Sequence, residues 1–79
     1  MNASQSQLSA LKWLVNRNGD GVFDRNQVLV AGGERAPVMR GTWNRLADLG
    51  FVEPYLERRR LRVTAAGRAV DLSHVGESR

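Results

Sequence analysis

Between Met39 and Val63 the apolar residues change period once, and that change limits the folds open to the chain. Met39, Trp43, Leu46 and Leu49 recur every three or four residues, the spacing of one face of a helix. Gly50 follows at the C′ position, where a left-handed residue ends a helix. Phe51 to Tyr55 then reads as a strand, Leu56 to Arg59 as a turn, and Arg60 to Val63 as the returning strand. Leu61 and Val63 alternate inward while Arg60 and Arg62 point away. The sequence therefore predicts a helix over 36–49, with Pro37 in its first turn where a missing N–H does no harm, leading into a hairpin.

The segments on either side are read in the same way. Ser4, with Gln7 three residues on, forms a capping box for a helix from about Gln5 to Asn16. Leu8, Leu11 and Val15 share a face of that helix, with Leu14 beside them. Asn18-Gly19 and Asp20-Gly21 stop the helix and turn the chain. Val22 and Phe23 suit a very short strand. Asp24 is placed to cap a second helix over 25–31 that buries Val28 and Leu29. The alternative is a strand through Gln27–Ala31, because that stretch is rich in β-branched residues. Gly32-Gly33 ends either one. Thr64 is expected to cap a short last helix, and residues 73–79 to be disordered. The whole is expected to be one domain over 1–79, ordered from about 4 to 72.

Residues 16–27, NRNGDGVFDRNQ, match the twelve-position spacing of an EF-hand calcium loop. The ligand types do not suit it. Position one is Asn, position twelve is Gln instead of a bidentate Glu, and Arg17 and Arg25 oppose a cation. The stretch reads as a helix stop, a turn and a new helix cap, whose chemistry resembles that of a calcium loop. The chain has no cysteine and a single histidine, His74, so neither disulfides nor a zinc set is available. No cofactor and no metal are expected. Asp71, Ser73 and His74 are near neighbours in sequence, but a working triad is a spatial arrangement on a rigid site, so no enzyme is expected. No apolar run reaches the roughly 20 residues of a membrane span, and MNASQSQ lacks the order of a signal peptide. The expectation is a cytoplasmic protein without a membrane partner.

The net charge is +4, and eleven of the twelve basic residues are arginine. Arginine suits phosphates and guanine edges; a GC-rich genome accounts for the same usage. The placement is more telling. Residues 34–68 hold eight arginines against four carboxylates, and the remainder is balanced. Trp43 belongs with the core stripe. Trp13 either seals the core edge or forms a dimer contact. Tyr55, beside the arginine run, suits cross-strand packing more than a sugar or phosphate contact.

The stretch LADLGFVEPYLERRRLRVTAAGR carries the landmarks Leu46, Leu49-Gly50-Phe51-Val52, Leu61-Arg62-Val63-Thr64 and Gly67-Arg68. It resembles the end of the recognition helix, the wing and the exit of the winged helix-turn-helix domain of MarR-like bacterial regulators. The resemblance covers residues 36–70 well and 8–35 loosely. It implies an α+β winged helix-turn-helix fold, with three helices, a β-hairpin wing and a short C-terminal helix. It also implies a small transcriptional regulator that binds duplex DNA, of a size common in phage control modules. Arg40, Thr42, Asn44 and Arg45 on helix 36–49 would enter the major groove. Arg58, Arg59, Arg60 and Arg62, in the wing at 56–62, would lie on the backbone or minor groove. The helices through which such regulators dimerise are missing here, so the expectation is a homodimer through helix 1 or the C-terminal segment, binding as a monomer, or action with a partner. The competing expectation is a protein–protein interaction module, such as a phage or toxin–antitoxin accessory factor. A ligand cavity of roughly 300 Å³ or more is not expected in so small a unit.

Overall fold

In a computed structural model, residues 3–77 are described. Eight elements follow one another: α1 (Gln5–Val15), β1 (Asp20–Phe23), β2 (Leu29–Ala31), β3 (Glu34–Arg35), α2 (Arg40–Asp48), β4 (Val52–Tyr55), β5 (Arg60–Val63) and α3 (Ala65–Arg68). The fold is α+β: three helices and an antiparallel five-stranded sheet in the order β3-β2-β1-β5-β4.

Helix α1 starts with the expected capping box. Ser4 Oγ accepts from the Gln7 N–H, and Gln7 Oε1 accepts from the Ser4 N–H at 2.9 Å. It buries Ala10, Leu11, Trp13 and Leu14 against Trp43 and Leu46 of α2 and against Leu29, Ala31, Val52, Leu61 and Val63 of the sheet. Trp13 seals the core edge: its ring meets that of Trp43 at 6.5 Å, and Arg17 stacks on it at 4.4 Å. Trp43 Nε1–H is buried without a partner, the one such side-chain atom among the described residues.

The helix expected over 25–31 is not formed. Asp24 closes a turn instead, its Oδ1 accepting from the N–H groups of Asn26 (2.8 Å) and Val28 (3.0 Å). Gln27 takes a left-handed φ of 64°, which a helix does not accommodate. Leu29 and Ala31 then point into the core with Val30 between them on the other face, so the β-branched strand alternative is the one adopted. Gly32 and Gly33, with φ of 60° and 79°, make the two-residue turn into β3.

The second correction concerns α2. It begins at Arg40, not at residue 36, because the Ala36 N–H donates to the Leu29 carbonyl at 2.7 Å and Pro37 holds Ala36 away from helical ψ. Met39, expected in the core stripe, lies just outside the helix and is 81% exposed. At the other end the sequence reading holds. Gly50 has φ of 81°, its N–H donates to Ala47, and the Phe51 N–H reaches back to Leu46, which together make a Schellman motif. The β4–β5 hairpin pairs Val52 with Val63 and Tyr55 with Arg60, leaving Leu56–Arg59 as the turn. Thr64 Oγ1 accepts from the Gly67 N–H at 3.1 Å and donates to the Gly50 carbonyl at 2.6 Å, which ties α3 to the end of α2.

Residues 73–77, expected to be disordered, are docked on α1. Lys12 Nζ donates to the carbonyls of Leu72 (3.2 Å) and Val75 (2.6 Å), and Val75 is buried. Glu77 accepts from Asn16 and from Arg17, which also pairs with Glu34. This places the chain's own C-terminal segment on the flank of α1. Residues 78–79, also expected to be disordered, lie outside the described part.

The hydrogen bonds from Asn16 and then Arg17 hold the Glu77 carboxyl below its usual range. Those from the Val28 and Asn26 N–H groups do the same for Asp24. Both folded pKa values are depressed, so each group's contribution is present above the unfolded pKa and is lost as pH falls through the folded one. The melting temperature should fall on acidification below the usual carboxylate range. Glu77→Gln should lower it at neutral pH and weaken its acid dependence.

Leu56, Glu57 and Arg58 all have left-handed φ, at 50°, 58° and 66°. Such residues cost roughly 1–2 kcal/mol each when they are not glycine, whereas a glycine there gives back part of the gain as chain entropy. Glu57→Gly should therefore stabilise the protein by up to about 1 kcal/mol, read as a higher midpoint in thermal or urea unfolding. A loss of stability would mean that the Glu57 side chain itself holds the turn.

Candidate nucleic-acid interface

The sheet has two faces with different uses. One is covered by α1 and α2. The other carries Arg35, Val30, Val22, Arg60 and Tyr55 in one row across all five strands, by the register of the four ladders. Beside that row Asp20, Arg62 and Glu53 form a second. The charges on this face are matched. Tyr55 Oη donates to Asp20 at 2.6–2.7 Å, Arg60 Nε donates to Tyr55 Oη at 3.0 Å, and Arg60 also reaches Asp20 at 3.5 Å. Arg62 pairs with Glu53 at 3.1 Å and lies over the Tyr55 ring at 4.9 Å. Hydrogen bonding to Tyr55 and the nearby Asp20 charge hold the Arg60 guanidinium above its ordinary value. Two of the four wing arginines are thus engaged with the chain's own side chains, and Tyr55 is a cross-strand packing residue.

The other charges gather elsewhere. The β1–β2 turn, the first residue of α2 and the β4–β5 turn surround an open cleft of about 460 Å³. Arg25, Arg40, Arg58 and Arg59 line it, with Phe23, Gln27, Asp24 and Glu57. A small unit was not expected to have a cleft of that volume. Arg40 is fixed within it. Its guanidinium lies 4.0 Å over the Phe23 ring, bonds Gln27 Oε1, and reaches the Arg58 carbonyl at 3.4 Å. Asp24 contributes little free negative charge, because Arg35 pairs with it at 3.2 Å and two N–H groups bond it. Among the described residues, no carboxylate pairs with Arg25, Arg58 or Arg59.

The exposed face of α2 carries Gly41, Asn44, Arg45 and Asp48. A Cβ added at Gly41 would meet nothing within 4 Å, so the backbone is open to close approach there. Thr42 is on another side, in a groove with Ser4, Ser9 and Val38 next to α1. Of the eight residues singled out in the sequence, Arg40 and Arg58 thus meet in the cleft and Arg59 lines it with them. Asn44 and Arg45 lie on the open helix face, Arg60 and Arg62 on the outer sheet face, and Thr42 toward α1. Phe23, Arg25 and Gln27 are site residues that the sequence reading missed.

The acidic residues of the calcium-like stretch are separated in use: Asp20 holds Tyr55, and Asp24 holds its own turn. The Asp71 carboxylate accepts from Ser73 N–H (3.0 Å) and Oγ (2.7 Å), closing a local turn. Among the described residues no helix is long and apolar enough to cross a membrane.

No family model, curated protein or solved structure matches this chain.

Proposed function

We propose that this protein binds duplex DNA as a small transcriptional regulator, with the exposed face of α2 in the major groove and the Leu56–Arg59 turn on the adjacent backbone. The observation that carries this reading is where the unmatched charge collects. Arg25, Arg58 and Arg59, which pair with no carboxylate among the described residues, line one cleft together with Arg40 at the start of α2. Phosphate contacts of this kind fix position, and base edges supply sequence. Asn44 suits adenine and Arg45 suits guanine.

The chain order keeps the α2–hairpin half of the expected winged-helix order; the β2–β3 hairpin stands where a second helix was expected, so no helix pairs with α2 as a helix-turn-helix requires. In this proposal the protein acts at a promoter by occlusion or recruitment, without catalysis. A homodimer through α1 or the C-terminal segment would provide paired half-sites.

A randomised duplex pool tests the sequence-reading part. The wild-type chain should enrich a short motif, and Asn44→Ala should relax one position of it at a cost of about 1–3 kcal/mol of discrimination. Enrichment without any motif would leave charge-driven binding only and overturn the sequence-specific reading. The reading from another class is an acidic protein partner. Exposed Val22, Met39 and Leu56 beside the cleft favour it, and it predicts little affinity for any duplex.

A further inference from the structure

We propose that the cleft between the two hairpin turns is a discrete site for a pair of adjacent phosphate groups, separate from the α2 surface that would face bases. Four arginines line it from three segments that are distant in sequence. Two carboxylates share the lining, which leaves a surplus of two positive charges; two consecutive phosphodiesters carry two negative ones. One carboxylate, Asp24, is already held by Arg35 and by backbone N–H groups.

The site is also organised in advance. Arg40 is held over Phe23 by the ring, by Gln27 and by the Arg58 carbonyl, so its side chain is oriented before any ligand arrives. The Phe23 N–H donates to the Arg59 carbonyl at 2.8 Å, which ties the β4–β5 turn to the floor of the cleft. The left-handed run Leu56–Arg58 gives that turn its shape; backbone of this sort is enriched at ligand clamps.

Adjacent phosphates come from a nucleic-acid strand or from a free polyphosphate. The first source rests on the duplex reading, and the second does not. The probe that separates them is inorganic pyrophosphate, titrated into the full chain by calorimetry at constant ionic strength. Saturable binding is expected. Arg25→Ala/Arg59→Ala should weaken it by about tenfold or more, as loss of two charge-assisted contacts implies. The charge-matched Arg62→Ala/Arg68→Ala should weaken it less than about twofold, because exposed charges at a distance are screened. Thermal melts of both variants check that the fold is retained.

No saturable binding, or equal weakening in both variants, overturns the site. The duplex arm then assigns the source. If the cleft variant also flattens the salt dependence of duplex binding by roughly two, at about 0.9 for each phosphate contact, the strand occupies the cleft. If pyrophosphate binding is lost and the duplex slope is unchanged, the occupant is a free polyphosphate. Pyrophosphate binding without any duplex binding keeps the cleft and removes the duplex reading.

Discussion

Gly67→Ala should lower the melting temperature by roughly 12–24 °C, the shift that a loss of about 3 kcal/mol produces in a domain of this size. A Cβ at that position would lie 2.1 Å from the Phe51 carbonyl oxygen and 2.9 Å from Val63 Cγ1. The Val63 methyl can rotate away, but the carbonyl cannot. The Phe51 N–H is bonded to Leu46 in the Schellman motif, and its carbonyl accepts from Thr64 at 3.0 Å. Relief therefore requires α3 to lift off, which breaks the Thr64 cap and its bond to Gly50. Overpacking that backbone must absorb lies at the upper end of the usual 1–3 kcal/mol or so, a large share of the roughly 4–12 kcal/mol expected for 79 residues. Gly41→Ala is the contrast. Its Cβ meets open space on an exposed helix face, so better helix propensity should raise stability by up to about 1 kcal/mol. Circular dichroism melts of both variants make the test; a fall of less than about 4 °C for Gly67→Ala would mean that α3 is not seated as described.

The largest functional effect is expected from Arg25→Ala/Arg58→Ala/Arg59→Ala. Among the described residues these side chains have no carboxylate partner to release, so the substitutions remove charge from the cleft without freeing an acid. If the cleft they line holds two adjacent phosphates, the slope of log K against log salt should flatten by up to roughly 1.8. Arg60→Ala/Arg62→Ala removes charge from the same hairpin but should flatten the slope by well under one contact's worth. Those two guanidinium groups are engaged with Asp20, Tyr55 and Glu53. The double variant should instead reduce stability, because it leaves Asp20 and Glu53 facing each other across β1, β5 and β4 without their cations. Anisotropy titrations at several salt concentrations separate the two variants. Equal flattening would place the phosphate contacts on the sheet face, away from the cleft.

What was legible in the sequence was local. Gly50, Thr64 and the alternation of Leu61 and Val63 each state a conformation through their own neighbours, and the end of α2, the hairpin and α3 follow. Residues 25–31 fail the same test. A short run such as Val28-Leu29-Val30 fits a buried strand as well as a helix turn, and pairing with β1, a tertiary contact, decides between them. The start of α2 misleads for a similar reason: Pro37 is acceptable in a first turn, but Ala36 is claimed by Leu29 across the sheet. The site shows this separation of local from tertiary signals most clearly. Arg58, Arg59, Arg60 and Arg62 look alike as a basic run. Register alone puts Arg60 and Arg62 beside Asp20 and Glu53, and leaves Arg58 and Arg59 opposite Arg25 and Arg40.

The first measurement to make is the binding of the wild-type chain to a labelled mixed-sequence duplex, by fluorescence anisotropy, as salt is raised. With two adjacent phosphates in the cleft of Arg25, Arg40, Arg58 and Arg59, affinity should fall along a slope of roughly −1.8 or steeper, with or without calcium. A chain that binds no duplex even at low salt would contradict the DNA reading and turn the search to an acidic protein partner.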